Sequence, residues 1–288
     1  MEDSSITAVL LPIALAIVML GLGLSLTLAD FKRVVDYPKP VVVGLTCQML
    51  VLPVVCFAIA RGFGLPPELA VGLMLLAASP GGATANLFSH LAKGDVALNV
   101  SLTAVNSVLS LLTLPLIVDF AMESFLGAGQ YIPMQAGKIV QVFAIVLVPV
   151  AIGMTIRRQR PDFAERAGNP VKLLSAVVLL LVVLGAVLKE RAHIGEYFQQ
   201  VGVAALAFNL ASMAVGYFIP RLLGIAERQA IAIGMEIGIH NGTLAIAIAG
   251  PTVLNNSTMA IPPAIYSLIM FFTAAAFGWL VSRRAARS

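Results

Sequence analysis

The sequence predicts an all-α polytopic membrane protein of about nine transmembrane helices. Three observations carry that reading. Of the 288 residues, 59% are apolar and only 11% charged, with a mean hydropathy of +0.97. Soluble domains sit near about 45–50% and 25%, so a soluble globular fold and a disordered chain are both excluded. The apolar residues fall into nine runs parted by short Gly, Pro and charged breaks, and a span takes about 20 apolar residues. The basic residues then segregate to alternate breaks, as nine spans require.

The runs are 7–29, 40–60, 67–92, 97–122, 135–156, 171–189, 198–223, 228–251 and 261–282. The first follows the acidic start Met1-Glu2-Asp3-Ser4-Ser5. That start lacks the basic region and small-residue cleavage site of a secretory signal, so the first run reads as a retained span. The second holds Cys47, Gln48, Pro53 and Cys56. Nine helical steps separate the cysteines by about 13.5 Å, beyond the roughly 7 Å that a disulfide allows. Both are expected as buried free thiols, and no metal-ligand spacing accompanies them.

Runs three and eight are interrupted. In run three, Ser79-Pro80-Gly81-Gly82 breaks an otherwise helical segment. Pro80 removes a backbone donor and the glycines permit non-helical dihedrals. In run eight, Gly238 and Gly242 flank Ile239-His240-Asn241. Non-helical backbone at membrane depth is tolerated only where protein buries it or it lines a wet cavity. Paired breaks of this kind point to a transporter site; ordinary Gly/Pro kinks are the other reading. Runs three and eight lie five apart and so cross in opposite senses. An inverted repeat of five helices lacking its first helix has that arrangement.

Run four carries Asn99, Thr103, Asn106 and Ser110, which share one helix face. Their neutral oxygens suit a hard monovalent cation, or they bond neighbouring helices. Glu236, in run eight, is the acidic residue well inside a span. An acid there costs a few kcal/mol even on lenient scales, and no Lys or Arg lies at its depth. A bound cation or proton would satisfy it, as would a structural hydrogen bond. His240 follows four residues later, on the same face if the helix persists. Asn209, His90, Tyr266 and Ser267 are left as packing or cavity residues.

With the N-terminus outside, fourteen of the 18 basic residues fall on the inner side. Arg61, Lys138, Lys189 and Arg191 remain outside. That bias predicts an outer N-terminus and a cytoplasmic C-terminus in the cell membrane. It also accounts for the net charge of +4 without nucleic-acid binding. HExxH, GxSxG and P-loop patterns are absent, so an enzyme is not expected, and saturable uptake would separate a carrier from a channel.

The stretches SPGGATANLFSHLAKGDVALNVSLTAVNSVLSLLTLPL and EIGIHNGTLAIAIA resemble those of the bile acid:sodium symporter family, and the order of runs matches nearly throughout. The resemblance implies a panel domain of 7–29, 135–156 and 171–189. It implies a core of 40–60, 67–92, 97–122, 198–223, 228–251 and 261–282, whose two broken helices cross at the midplane. It implies one sodium site at Asn86, Asn99, Thr103 and Glu236, with Ala85 standing where a serine is often found. A second site would use Gln48, Glu236, the carbonyls of Ile237 and Ile239, and His240 in place of a glutamine. An imidazole nitrogen is a poor ligand for a hard, oxygen-preferring ion. His240 therefore weakens that site, changes its ion or makes transport pH-sensitive. Asn86, Asn241 and Thr243 are placed to hydrogen-bond the substrate, beside the breaks at Pro80, Gly81, Gly82, Gly238 and Gly242. The implied activity is sodium-coupled symport of an organic anion, bile salt-like or a small carboxylate. The alternative is proton coupling through Glu236 and His240.

Overall fold

The computed structural model describes residues 2–127, 136–189, 194–250 and 253–285. Residues 135 and 251, at the ends of two predicted runs, lie outside the described residues, as do Arg191 and Arg287 of the charge pattern. The described residues are helical apart from short connections and one isolated bridge. In chain order the helices are α1 (Glu2–Ser25), α2 (Leu28–Asp36), α3 (Pro38–Thr46), α4 (Leu52–Gly62), α5 (Pro67–Ala78) and α6 (Ala85–Leu91). They continue as α7 (Val96–Leu126), α8 (Ala136–Gln159), α9 (Pro161–Lys189), α10 (Ile194–Leu222), α11 (Glu227–Gly238), α12 (Gly242–Ala249) and α13 (Ile261–Ala285).

Five stretches are long and apolar enough to cross a bilayer unbroken: Pro38–Gly62, Val96–Leu126, Val140–Gln159, Gly195–Leu222 and Thr258–Arg283. Several are in excess of the roughly 20 residues a span needs. The protein is thus a multi-pass membrane protein.

Run one was expected to continue to residue 29. The helix instead stops at Ser25, and α2 leaves it at 63°. The cause is local. Thr27 caps α2, and the Asp30 carboxylate accepts from both the Thr27 backbone N–H and its hydroxyl at 2.7 Å. This reciprocal capping box restarts the chain in a new direction. A second difference lies at 171–189, which is the C-terminal part of the longer α9. Pro161 occupies the first turn, where its missing N–H is not needed.

Within Pro38–Gly62 the α-helical hydrogen bonding gives way to a π-turn at Cys47–Val51. Pro53 follows two residues after its end. It has no N–H to give the Met49 carbonyl, and its ring crowds that carbonyl. Widening the preceding turn relieves the crowding, and Leu52 N–H bonds Cys47 O instead. Cys47 and Cys56 are buried free thiols.

α1 packs along α8 and α9. Where it crosses α8, a Cβ on Gly153 would lie 2.6 Å from the Leu20 carbonyl oxygen, so only glycine permits the approach. Elsewhere α5 packs on α7, α10 on α11 and α13, and α11 on α6 and α7. The shorter helices α5 and α11 are almost wholly buried within this second group, and α12 is buried between it and α1 and α9.

Candidate functional site

The chain leaves helix between α5 and α6 at residues 79–84, and between α11 and α12 at 239–241. The two segments cross. Gly82 N–H donates to Ile239 O at 2.6 Å, and Asn241 N–H donates to Pro80 O at 2.9 Å. Gly81 and His240 thus form an antiparallel bridge. Buried backbone groups must find partners, and here each break supplies them to the other. Ser79 closes α5 by donating its hydroxyl to Leu76 O at 2.7 Å.

Glu236 stands on the last turn of α11 with its carboxylate against Gly81. A Cβ at Gly81 would overlap that carboxylate, so glycine is required there for space rather than for dihedral freedom. Glu236 is 3% exposed. Thr103 Oγ1 lies 2.6 Å from Glu236 Oε2 and 3.0 Å from the Asn99 carbonyl, so its hydroxyl can serve either acceptor. Asn99 Nδ2 donates to Ala232 O at 2.7 Å. The other oxygens, Glu236 Oε1 and Asn99 Oδ1, are buried without a hydrogen-bond partner among the described residues. Among the described residues no ion pair reaches Glu236. Asn86 sits half-buried in the first turn of α6, and its Oδ1 is likewise unpartnered. No hydrogen bond among the described residues ties it to the other three. Asn106 and Ser110, lower on the same stripe, are also buried.

A second group lies around His240. Gln48 projects from the π-turn. Its Nε2 donates to Ser79 O at 3.0 Å and lies 3.5 Å from His240 Nδ1. The imidazole stacks on Phe208 and meets Tyr266 edge-on. Gln48 Oε1 and His240 Nε2 have no hydrogen-bond partner among the described residues. Ile239 O already accepts from Gly82 N–H, and the Ile237 side chain packs against Gly216. The structure brings Gln48 and His240 together; it gives neither a hydrogen bond to Glu236 among the described residues.

Of the substrate candidates, Asn241 is engaged: its Oδ1 caps α12 by accepting Leu244 N–H at 3.0 Å. Its amide hydrogens remain for a ligand. Thr243 is buried in the first turn of α12. Two residues left without a role acquire one. Asn209 Nδ2 and Tyr266 Oη both donate to Gly238 O, at 3.0 and 2.9 Å, and so satisfy the carbonyl at the end of α11. Their polarity within apolar runs was the available signal. Asp95, half-buried before α7, caps that helix by accepting Leu98 N–H at 3.1 Å.

The crossing of two broken helices gathers the buried, unpartnered oxygens of Glu236 and Asn99. Comparison with known proteins identifies relatives of the chain. The chain is 29% identical over 257 residues to the "Uncharacterized sodium-dependent transporter YocS" of Bacillus subtilis, covering 89% of this chain and 78% of that one. It is 30% identical to the "Probable sodium/metabolite cotransporter BASS1, chloroplastic" of Arabidopsis thaliana, covering 89% of this chain but 62% of the plant protein. It is 26% identical to the "Ileal sodium/bile acid cotransporter" of Oryctolagus cuniculus, covering 85% of this chain and 70% of that protein. Residues 12–196 match the Sodium Bile acid symporter family, and to that family of membrane transporters the chain belongs.

Proposed function

We propose that this chain is a sodium-coupled symporter that carries an organic anion by alternating access, with sodium bound at Glu236. One observation carries the reading: a buried carboxylate with an unpartnered Oε1 and no basic partner among the described residues. A buried charge demands compensation, and a cation ligated by Glu236 supplies it. Thr103 and Asn99 add neutral oxygens, and Asn86 approaches when the site closes around its ion. The sodium-bearing names of the relatives support the choice of ion.

The nine-span inverted repeat is part of this proposal. The antiparallel meeting of the two breaks supports it, because repeats of opposite topology present their broken helices to each other head to tail. α1, α8 and the residues of α9 from 171 onward would form the panel, and the remaining helices the core. The core would rock against the panel, carrying the crossing from one face of the cell membrane to the other, with the N-terminus outside and the C-terminus in the cytoplasm.

The substrate is an organic anion, bile salt-like or a small carboxylate. The N-terminus of α12 offers it partial positive charge, with the Asn241 amide and Thr243 as hydrogen-bonding partners. His240 governs the ion count. Two sodium ions with a monoanion move one net charge, which draws about 2.3 kcal/mol per 100 mV from the membrane potential. One sodium makes the cycle electroneutral.

Sodium binding to the purified protein, by calorimetry or scintillation proximity, tests the proposal for wild type and Glu236→Ala between about pH 5.5 and 8, the range in which histidine ordinarily titrates. Saturable binding lost in the variant is expected, and its stoichiometry gives the ion count. Absence of sodium binding at every pH, with Glu236-dependent proton uptake instead, would overturn sodium coupling in favour of proton symport.

A further inference from the structure

A groove of about 330 Å³ runs between the Pro38–Gly62 rod and α7. Leu50, Val54 and Phe57 form one wall, Leu116 and Phe120 the other, and Met74 of α5 the floor. Among the described residues no polar side chain lines it. Its rims face outward: Leu50 is 65% exposed, Val54 70% and Leu116 70%. In a bilayer those rims meet hydrocarbon.

One end of the groove is chemically different. Phe57 packs against Phe120 inside the groove and against Phe125 beyond it, with ring centroids 5.4 and 5.1 Å apart. Over Phe57 and Phe125 lies the Arg61 guanidinium, 5.4 and 5.0 Å from the two rings. Its Nη2 donates to Ser124 O at 2.8 Å. The stacking and that hydrogen bond fix the guanidinium plane at the groove's end while the side chain stays exposed. Arginine held in this way is suited to a phosphate. From Arg61 back to Met49 is twelve helical steps, about 18 Å. Half of a bilayer's hydrocarbon core is about 15 Å. The groove and the Arg61 guanidinium beyond it together have about the depth of one leaflet, with a cation where the headgroups lie and the apolar end beside the π-turn that carries Gln48.

We propose that this groove is a specific phospholipid site, with an acyl chain along α4 and α7 and the headgroup phosphate on Arg61. Charge complementarity at one end and an unbroken apolar lining along the rest select an amphiphile with a single anionic group. The bilayer supplies one in excess.

The test is native mass spectrometry of the full chain in detergent, titrated with phosphatidylglycerol. The variants are Arg61→Ala, Leu116→Trp to fill the groove, and Arg221→Ala at another helix end as control. One phospholipid retained after the others are stripped is expected in wild type and in the control, and its occupancy should fall at least fivefold in each of the other two. A thermal melt of each variant checks that it is folded; if Leu116→Trp is not, Val54→Trp replaces it. Equal retention by all variants overturns the proposal. So does equal binding of glycerol 3-phosphate, which has the phosphate and no tail, or displacement of the lipid by taurocholate, which would give the groove to the cargo.

Discussion

The two breaks in helix do the same job by different means. Between α5 and α6 the chain is non-helical over 79–84, and its own residue types force this: Pro80 withholds a donor and two glycines follow. Between α11 and α12 the break is only 239–241, and none of those three residues is a helix breaker of that strength. It is held from outside. Asn209 and Tyr266 hold the Gly238 carbonyl, Pro80 O takes the Asn241 N–H, and the Asn241 side chain starts α12. One break is written into the local chain, and the other exists because its surroundings satisfy it. The first should therefore tolerate changes in its neighbours, and the second should not.

Substitutions can break that contrast. The largest effect is expected from Gly81→Ala, which drives a methyl group into the Glu236 carboxylate. Overpacking of this kind costs about 1–3 kcal/mol, so sodium affinity should fall about tenfold or more while the helical content by circular dichroism stays unchanged. Asn241→Ala removes the cap of α12 and should lower stability by about 1 kcal/mol, read as a lower melting temperature in detergent. Tyr266→Phe takes one of two donors from Gly238 O and should cost about 0.5–1.5 kcal/mol. Combined with Asn209→Ala it should cost more than the two single changes together, because the last donor is then gone; strict additivity would show that the second break is not held this way. The smallest effect is expected at Gly242→Ala, whose new methyl meets the hydroxyl of Ser267. That hydroxyl has no partner to lose and can turn aside. Ser267→Ala should restore most of whatever uptake the glycine change removes, as measured in proteoliposomes.

The same contrast explains what could be read from the chain. The all-helical membrane class followed from composition, and the position of the first break from Pro80 and its glycines. Glu236, Asn99 and Thr103 stood out because polar groups are costly among apolar ones. Their assembly did not stand out, since Thr103 and Glu236 are 133 residues apart in sequence and no periodicity spans that distance. The bend after Ser25 was missed although Thr27 and Asp30 form a legible capping box; the apolar run continues across it and masked the signal. The π-turn at Cys47–Val51 was missed for a different reason. Pro53 announces that a carbonyl upstream must be released, but several backbone adjustments would release it. Asn209 and Tyr266 were visible as polar residues, and their shared acceptor is a backbone carbonyl that carries no side-chain signature.

The joint at which the two breaks meet is made from main-chain groups alone: Gly82 to Ile239 and Asn241 to Pro80. A joint of that kind has no side chain to lose by mutation. Both bonds use donors and acceptors that nearly every residue type carries. The seam is thus spelled in a script common to almost all side chains, and only the support around it, at Asn209, Tyr266 and Asn241, is residue-specific.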